Sequence, residues 1–172
     1  MAPVSPKQNA LRRTWIGHGI LILTSGLVGG LLASTFILGG LEIYPGRFIN
    51  FQLPGTESGW LKTHTGPISN SMMVIVLALG IPHLQLSDSE AEWAGWVITA
   101  AGWANVGFYF FANFSPNRGM AYGPSQIGPA NVFSILALGP TFVTNLIALV
   151  TLVRLGYTAV FKSAAKNNKE KV

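Results

Sequence analysis

Four stretches of this chain read as helices long and apolar enough to cross a membrane, and no other feature narrows the possible folds as much. They run from about Trp15 to Gly40, Trp60 to Leu84, Trp93 to Phe114 and Asn131 to Tyr157. Each is near the ~20 residues that cover a hydrocarbon core of ~30 Å. Only 10% of the 172 residues are charged and mean hydropathy is +0.43, whereas a soluble domain carries about a quarter charged residues. The expected fold is therefore an all-α, integral membrane four-helix protein. Residues 1–14 form a cytoplasmic N-terminal segment, 15–157 the four-span domain, and 158–172 a basic cytoplasmic tail. The second span begins polar, KTHTGPISNS (62–71), and turns apolar only from Met72 to Ile81. Its polar half is tolerable if buried against protein or a cofactor.

Charge sets the orientation. Lys7, Arg12 and Arg13 precede the first span, and Arg154, Lys162, Lys166, Lys169 and Lys171 close or follow the last. The loops on the other side carry only Arg47, Lys62 and Arg118, so both termini are expected in the cytoplasm. The loop with Asp88, Glu90 and Glu92 lies on the cytoplasmic side, since acids contribute little to that rule. The first apolar run exceeds the 7–15 residues of a signal-peptide core, which favours a retained membrane helix. A net charge of +5 held at the chain ends, with no aromatic-laced basic face, gives no reason to expect a nucleic-acid partner. The absence of cysteine excludes disulfides, iron–sulfur clusters and thiolate haem ligation. Gly26 and Gly30, extended by Ser34, make a small-xxx-small pattern that lets a helix approach closely, with a neighbour in the same subunit as the default.

The segment GWANVGFYFFANFSPNRG (102–119) is the most informative part of the chain. Asn105, Tyr109 and Asn113 recur at i, i+4 and i+8, which places them on one helix face. Polar groups in hydrocarbon face protein or a cavity. The row is either a polar seam that joins helices or the wall of an active site.

Three histidines complete the inventory. His64 and His83 lie about 28 Å apart along the second helix and cannot share a metal. His18 and His83 flank cytoplasmic helix ends, where a hydrated histidine needs no special role. His64 is alone at its depth, followed by Pro67, Asn70 and Ser71. A bis-histidine haem within one subunit is not expected; a single axial histidine would leave the sixth iron position open.

The chain resembles the styrene oxide isomerases, small integral membrane enzymes that convert an aryl epoxide to an aldehyde. The segments that carry the resemblance are GHGIL (17–21), GGLEIYPG (39–46), HTGPISNSMMVIV (64–76), PHL (82–84), GWANVGFYFFANFSPNRG (102–119) and GPSQIGP (123–129). The resemblance implies a haem b enzyme with four transmembrane helices, in the bacterial cytoplasmic membrane, assembled as a homotrimer with haem near the subunit interfaces. It also implies that His64 is the axial ligand and that Asn70 and Tyr109 hold a small hydrophobic epoxide over ferric iron. Such iron is a Lewis acid toward the epoxide oxygen, and ring opening followed by a 1,2-hydride shift gives the aldehyde. The protein must then exclude water and hold one geometry. Asn105, Phe108 and Asn113 are candidate pocket-lining residues, although packing explains the phenylalanines equally well.

One departure stands out. The family pattern places an aspartate just before GWANVGFY, where this chain has Ala101, a position also expected on the pocket side. Either the acid is dispensable or this homologue handles a different epoxide. Two other readings compete with the isomerase: a non-catalytic or electron-transferring b-type membrane haem protein, and a structural subunit without a cofactor.

Overall fold

The computed structural model describes residues 5–84 and 86–162, and its order is helix, hairpin, helix, helix, helix. Helix α1 spans Pro6–Leu38 and is followed by a hairpin of β1 (Gly40–Tyr44) and β2 (Arg47–Asn50). Helix α2 (Glu57–Gly80) tightens into one 3-10 turn at Ile81–Leu84; α3 covers Asp88–Ala112 and α4 Val132–Tyr157, with a wide turn over Thr158–Lys162. The tail beyond residue 162 lies outside the described residues.

Each helix starts at a capping side chain. Ser5, Thr56, Ser87 and Asn131 accept hydrogen bonds from Gln8, Gly59, Glu90 and Ser134 respectively, which satisfies a backbone N–H that lacks a partner within its helix. Pro6 occupies the first turn of α1, where a missing N–H costs nothing. The helix accordingly begins at Pro6, so residues 6–14 continue the first span as helix. At its other end, Gly39 adopts φ 67° and its N–H returns to Phe36 and Thr35, the left-handed stop that glycine permits. The hairpin between α1 and α2 was not anticipated from the sequence.

Three helical stretches, Pro6–Leu38, Glu57–Leu84 and Val132–Phe161, are long and apolar enough to cross a membrane. Helix α3 has 25 residues, about 37 Å, but carries acids in its first turns and amides further on. It packs against all three other helices. Large apolar side chains such as Leu31, Met72, Val76, Leu149 and Val153 face outward, while the interior holds Trp15, Ile22, Ile98 and many small residues. That distribution suits a solvent of lipid, where close backbone contact takes over from hydrophobic burial.

The α1–α2 contact shows how. A Cβ on Gly29 would sit 2.3 Å from the Thr63 carbonyl oxygen, and one on Gly26 would sit 3.0 Å from that of His64. Pro67 has no N–H to offer Thr63 four residues back, so the carbonyl freed by the proline is the one over which Gly29 packs. Gly26 and Gly30 both face α2 of the same chain. At the end of the bundle where α1 and α3 begin, the Ser5 hydroxyl and the Gln8 amide donate to Asp88 at 2.7 and 2.9 Å. Lys7 pairs with Glu92 at 2.7 Å, and Arg154 pairs with Glu90.

Candidate active site

Helix α2 presents two different faces, and the residues singled out by the sequence divide between them. On the α1 side, His64 Nδ1 lies 2.8 Å from the Gly26 carbonyl oxygen. A carbonyl only accepts, so Nδ1 carries the hydrogen and, in the neutral imidazole, Nε2 holds a free lone pair. The ring has room because residue 30 is glycine: a Cβ there would fall 2.8 Å from Nδ1. A fixed tautomer with a carbonyl behind it is the outer support that metal-ligating histidines have. The residues present therefore fit a haem iron that would be held through His64 Nε2.

The other two histidines are held differently. The Trp103 indole N–H donates to His18 Nδ1 at 3.2 Å, and the rings of Trp96 and Trp103 stand edge-on to the imidazole. The lone pair of His18 is thus occupied, and Nε2 carries the hydrogen. His83 is exposed on the turn after α2.

Two residues on from His64, about 200° around the helix, Gly66 faces α3. A Cβ on Gly66 would fall 2.2 Å from the Tyr109 ring, so that glycine lets the phenol lie against the α2 backbone. One turn further on, Asn70 accepts from Asn105 Nδ2 at 3.0 Å and donates to the Gly66 carbonyl at 2.9 Å. Asn105 and Asn145 of α4 exchange bonds, at 3.0 Å in one direction and 3.4 Å in the other. One turn past Tyr109, Asn113 is 6% exposed. Its Nδ2 donates to the Thr63 hydroxyl and to the Tyr109 carbonyl, each at 2.9 Å. Its Oδ1 lies over Gly59 and has no partner among the described residues.

A cavity of about 630 Å³ opens beside this wall, between the start of α2, the end of α3 and the loop that follows. Phe108, Tyr109, Asn113, Phe114 and Met120 line it, with Lys62 and Arg118 as its two cations. The loop is shaped from within: the Ser115 hydroxyl and the Asn117 side-chain oxygen Oδ1 both receive the Gly119 N–H at 3.1 Å, and the Ser134 hydroxyl of α4 donates to Asn117 Oδ1 at 2.9 Å. Arg118 consequently takes the left-handed conformation, φ 56°.

A sequence model of the family described as styrene oxide isomerase matches residues 11–160. Among curated proteins, the styrene-oxide isomerase of Pseudomonas fluorescens is 43% identical over 152 residues, covering 88% of this chain and 90% of that protein. The chain belongs to the styrene oxide isomerase family. That membership makes it an isomerase and gives the two faces of α2 a chemical context.

Of the residues expected at the site, Phe108, Tyr109 and Asn113 line the cavity. Asn105, expected to line it, does not, and bonds instead to Asn70, which lies outside it as well, one turn beyond the Gly66 against which Tyr109 packs. His64 does not face them. Nor does Ala101, which is 1% exposed and packed with Ile22, Val74, Ile98 and Ala148. Its methyl group contributes to the apolar core between helices and does not line the cavity. Four participants were not singled out as site residues beforehand: Asn145, Thr63, Gly66 and Gly30. An isolated amide in the last span was the visible signal for Asn145. Nothing in the local pattern marked the glycines as seats for particular rings.

Proposed function

We propose that the protein isomerises an aryl epoxide of the styrene oxide type to the corresponding aldehyde, of the phenylacetaldehyde type, using haem b bound through His64. The observation that carries this reading is the 43% identity to a styrene-oxide isomerase over most of the chain. The cavity beside Tyr109 suits it, with a phenol, one amide and several hydroxyls but no carboxylate or thiol among the described residues that line it. The phenol and the amide orient an epoxide without attacking it. Ferric haem, when bound, supplies a Lewis acid for the epoxide oxygen.

The rest falls to the side chains. Asn70 and Tyr109 hold the substrate oxygen and fix the conformation from which hydride migrates. Opening at the benzylic carbon leaves a cation that the aryl group stabilises. A 1,2-hydride shift then yields the aldehyde with no net redox change. Water would capture that cation as a diol, so the apolar rings around Tyr109 serve to keep the site dry. Gly26 supports His64 through its carbonyl. The competing reading as an electron-transferring or non-catalytic haem protein finds no support in the relatives.

The same proposal places the chain in the bacterial cytoplasmic membrane as a multi-pass protein with four spans, α3 included, and both termini in the cytoplasm. The three strongly apolar helices and the basic residues at both chain ends support that arrangement. It also makes the enzyme a homotrimer. The position of His64 on the opposite side of α2 from Tyr109 supports a site that draws on more than one subunit.

The test is direct. Purified, haem-loaded protein incubated with styrene oxide should give phenylacetaldehyde by gas chromatography. Recovery of unchanged epoxide, or of the diol as main product, would overturn the reading.

A further inference from the structure

Asn145 sits at the midpoint of α4, in a helix apolar enough to cross a membrane, and the residue is exposed on the outside of the single chain. An amide at that depth is costly in hydrocarbon, so its partners matter. Both of its polar atoms are engaged by one residue. Asn145 Nδ2 donates to Asn105 Oδ1 at 3.0 Å, and Asn105 Nδ2 donates back to Asn145 Oδ1 at 3.4 Å. The second hydrogen of Asn105 Nδ2 goes to Asn70 Oδ1 at 3.0 Å. Turning the Asn105 amide over would set its oxygen against the oxygens of both neighbours. Only one orientation of the three amides satisfies them all.

The consequence falls on Asn70. Its oxygen is occupied by Asn105, and one hydrogen of its Nδ2 goes to the Gly66 carbonyl at 2.9 Å. One N–H remains unassigned. We infer that Asn145 is a positioning residue of the epoxide site: acting through Asn105, it fixes the Asn70 amide so that Asn70 offers the substrate oxygen an N–H and not a carbonyl. An epoxide oxygen, and the alkoxide character it gains on ring opening, can only accept. An Asn70 amide free to turn would spend part of its time with oxygen facing oxygen. This inference rests on the proposal that Asn70 contacts the substrate.

The test uses full-length, haem-loaded enzyme and the variants Asn145→Leu, Asn145→Gln, Asn70→Ala and the double variant Asn70→Ala/Asn145→Leu. Leucine matches asparagine in size and suits an apolar helix. Asn145→Leu should therefore keep its Soret band and thermal stability while kcat on styrene oxide falls about two- to tenfold, the scale of one lost orienting hydrogen bond. Asn145→Gln retains the amide and should recover part of that loss. In the double variant, Asn145→Leu should add nothing to the effect of Asn70→Ala, since its target is gone. If Asn145→Leu is not recovered from membranes, Asn145→Ser reads the same quantities. A kcat equal to wild type, or an equal loss in the Asn70→Ala background, overturns the inference. A fall in haem content parallel to activity does so too, because it marks a structural role. Normal turnover in Asn70→Ala would instead remove the reading on which the inference stands.

Discussion

His64 and His18 are both imidazoles held by one ring nitrogen, and the partner of that nitrogen decides what the other can do. Against a carbonyl, His64 Nδ1 must donate, and Nε2 is left with a free lone pair. Against an indole N–H, His18 Nδ1 must accept, and its Nε2 carries a proton. The expected outcome is that His64→Ala loses Soret absorbance and isomerase activity together, whereas His18→Ala and His83→Ala keep both. Haem retained by His64→Ala and lost by His18→Ala would reverse the assignment. The phenol of Tyr109 poses a milder question, since iron supplies the electrophile in the proposed reaction. Tyr109→Phe keeps the ring that packs on Gly66, so haem content should hold. Loss of one orienting hydrogen bond is worth roughly 0.5–1.5 kcal/mol, or about two- to tenfold in kcat. Complete loss of turnover with haem intact would make the phenol a general acid.

Among the elements, the start of α1 depends on a contact remote in sequence. Ser5 and Gln8 donate to Asp88 in the first turn of α3, outside the apolar part of that helix. These two bonds, Ser5 first, hold the Asp88 carboxyl below its ordinary value of 3.8. A carboxyl whose pKa is lower in the folded chain contributes stability that is complete above the unfolded value. That contribution disappears as pH falls through the folded value. Asp88 is half-buried at the end of the bundle, close enough to solvent that the effect is local and modest. Hydrogen exchange in the first turns of α1 should be faster in Asp88→Asn than in wild type at pH 7, and the difference should shrink below about pH 4. An equal difference at pH 7 and pH 3 would exclude the carboxylate as its source. Much of this element was legible beforehand. The apolar runs located four helices, and Ser5-Pro6 was a start signal that an emphasis on hydropathy passed over. Asn145 was not legible as a partner of Asn105, because periodicity relates residues within one helix and says nothing of which amide on another helix will meet them. The Asn105–Tyr109–Asn113 row illustrates the same limit. It does face α2, yet it works both as a seam, through Thr63 and Asn145, and as a cavity wall, through Tyr109 and Asn113.

For the molecule as a whole, the decisive geometry is the division of α2 into two faces. His64 points toward α1, at Gly26 and Gly30, whereas Gly66 and Asn70 meet α3, at Tyr109 and Asn105. A helix does not turn a side chain through about 200°, so one copy does not direct its histidine and its amide–phenol wall at the same point. In the proposed homotrimer this becomes an advantage: the histidine of one copy and the wall of its neighbour can flank the same cofactor, and three equivalent sites close the ring. Complementation tests it. His64→Ala lacks the ligand, and the double variant Asn70→Ala/Tyr109→Phe lacks the wall, so each should be poorly active alone. Coexpressed and randomly mixed, they should regain activity at about a quarter of the sites, those that pair an intact histidine with an intact wall. If each copy holds a complete site of its own, the mixture will show no more than the average of the two variants. The subunits must be mixed during synthesis, because trimers assembled separately and then combined would fail to exchange and would mimic that negative result. Pull-down through different tags on the two variants confirms mixing before activity is read. Mixed assemblies that stay at the level of the separate variants would confine the site to one subunit and require His64 to turn away from Gly26.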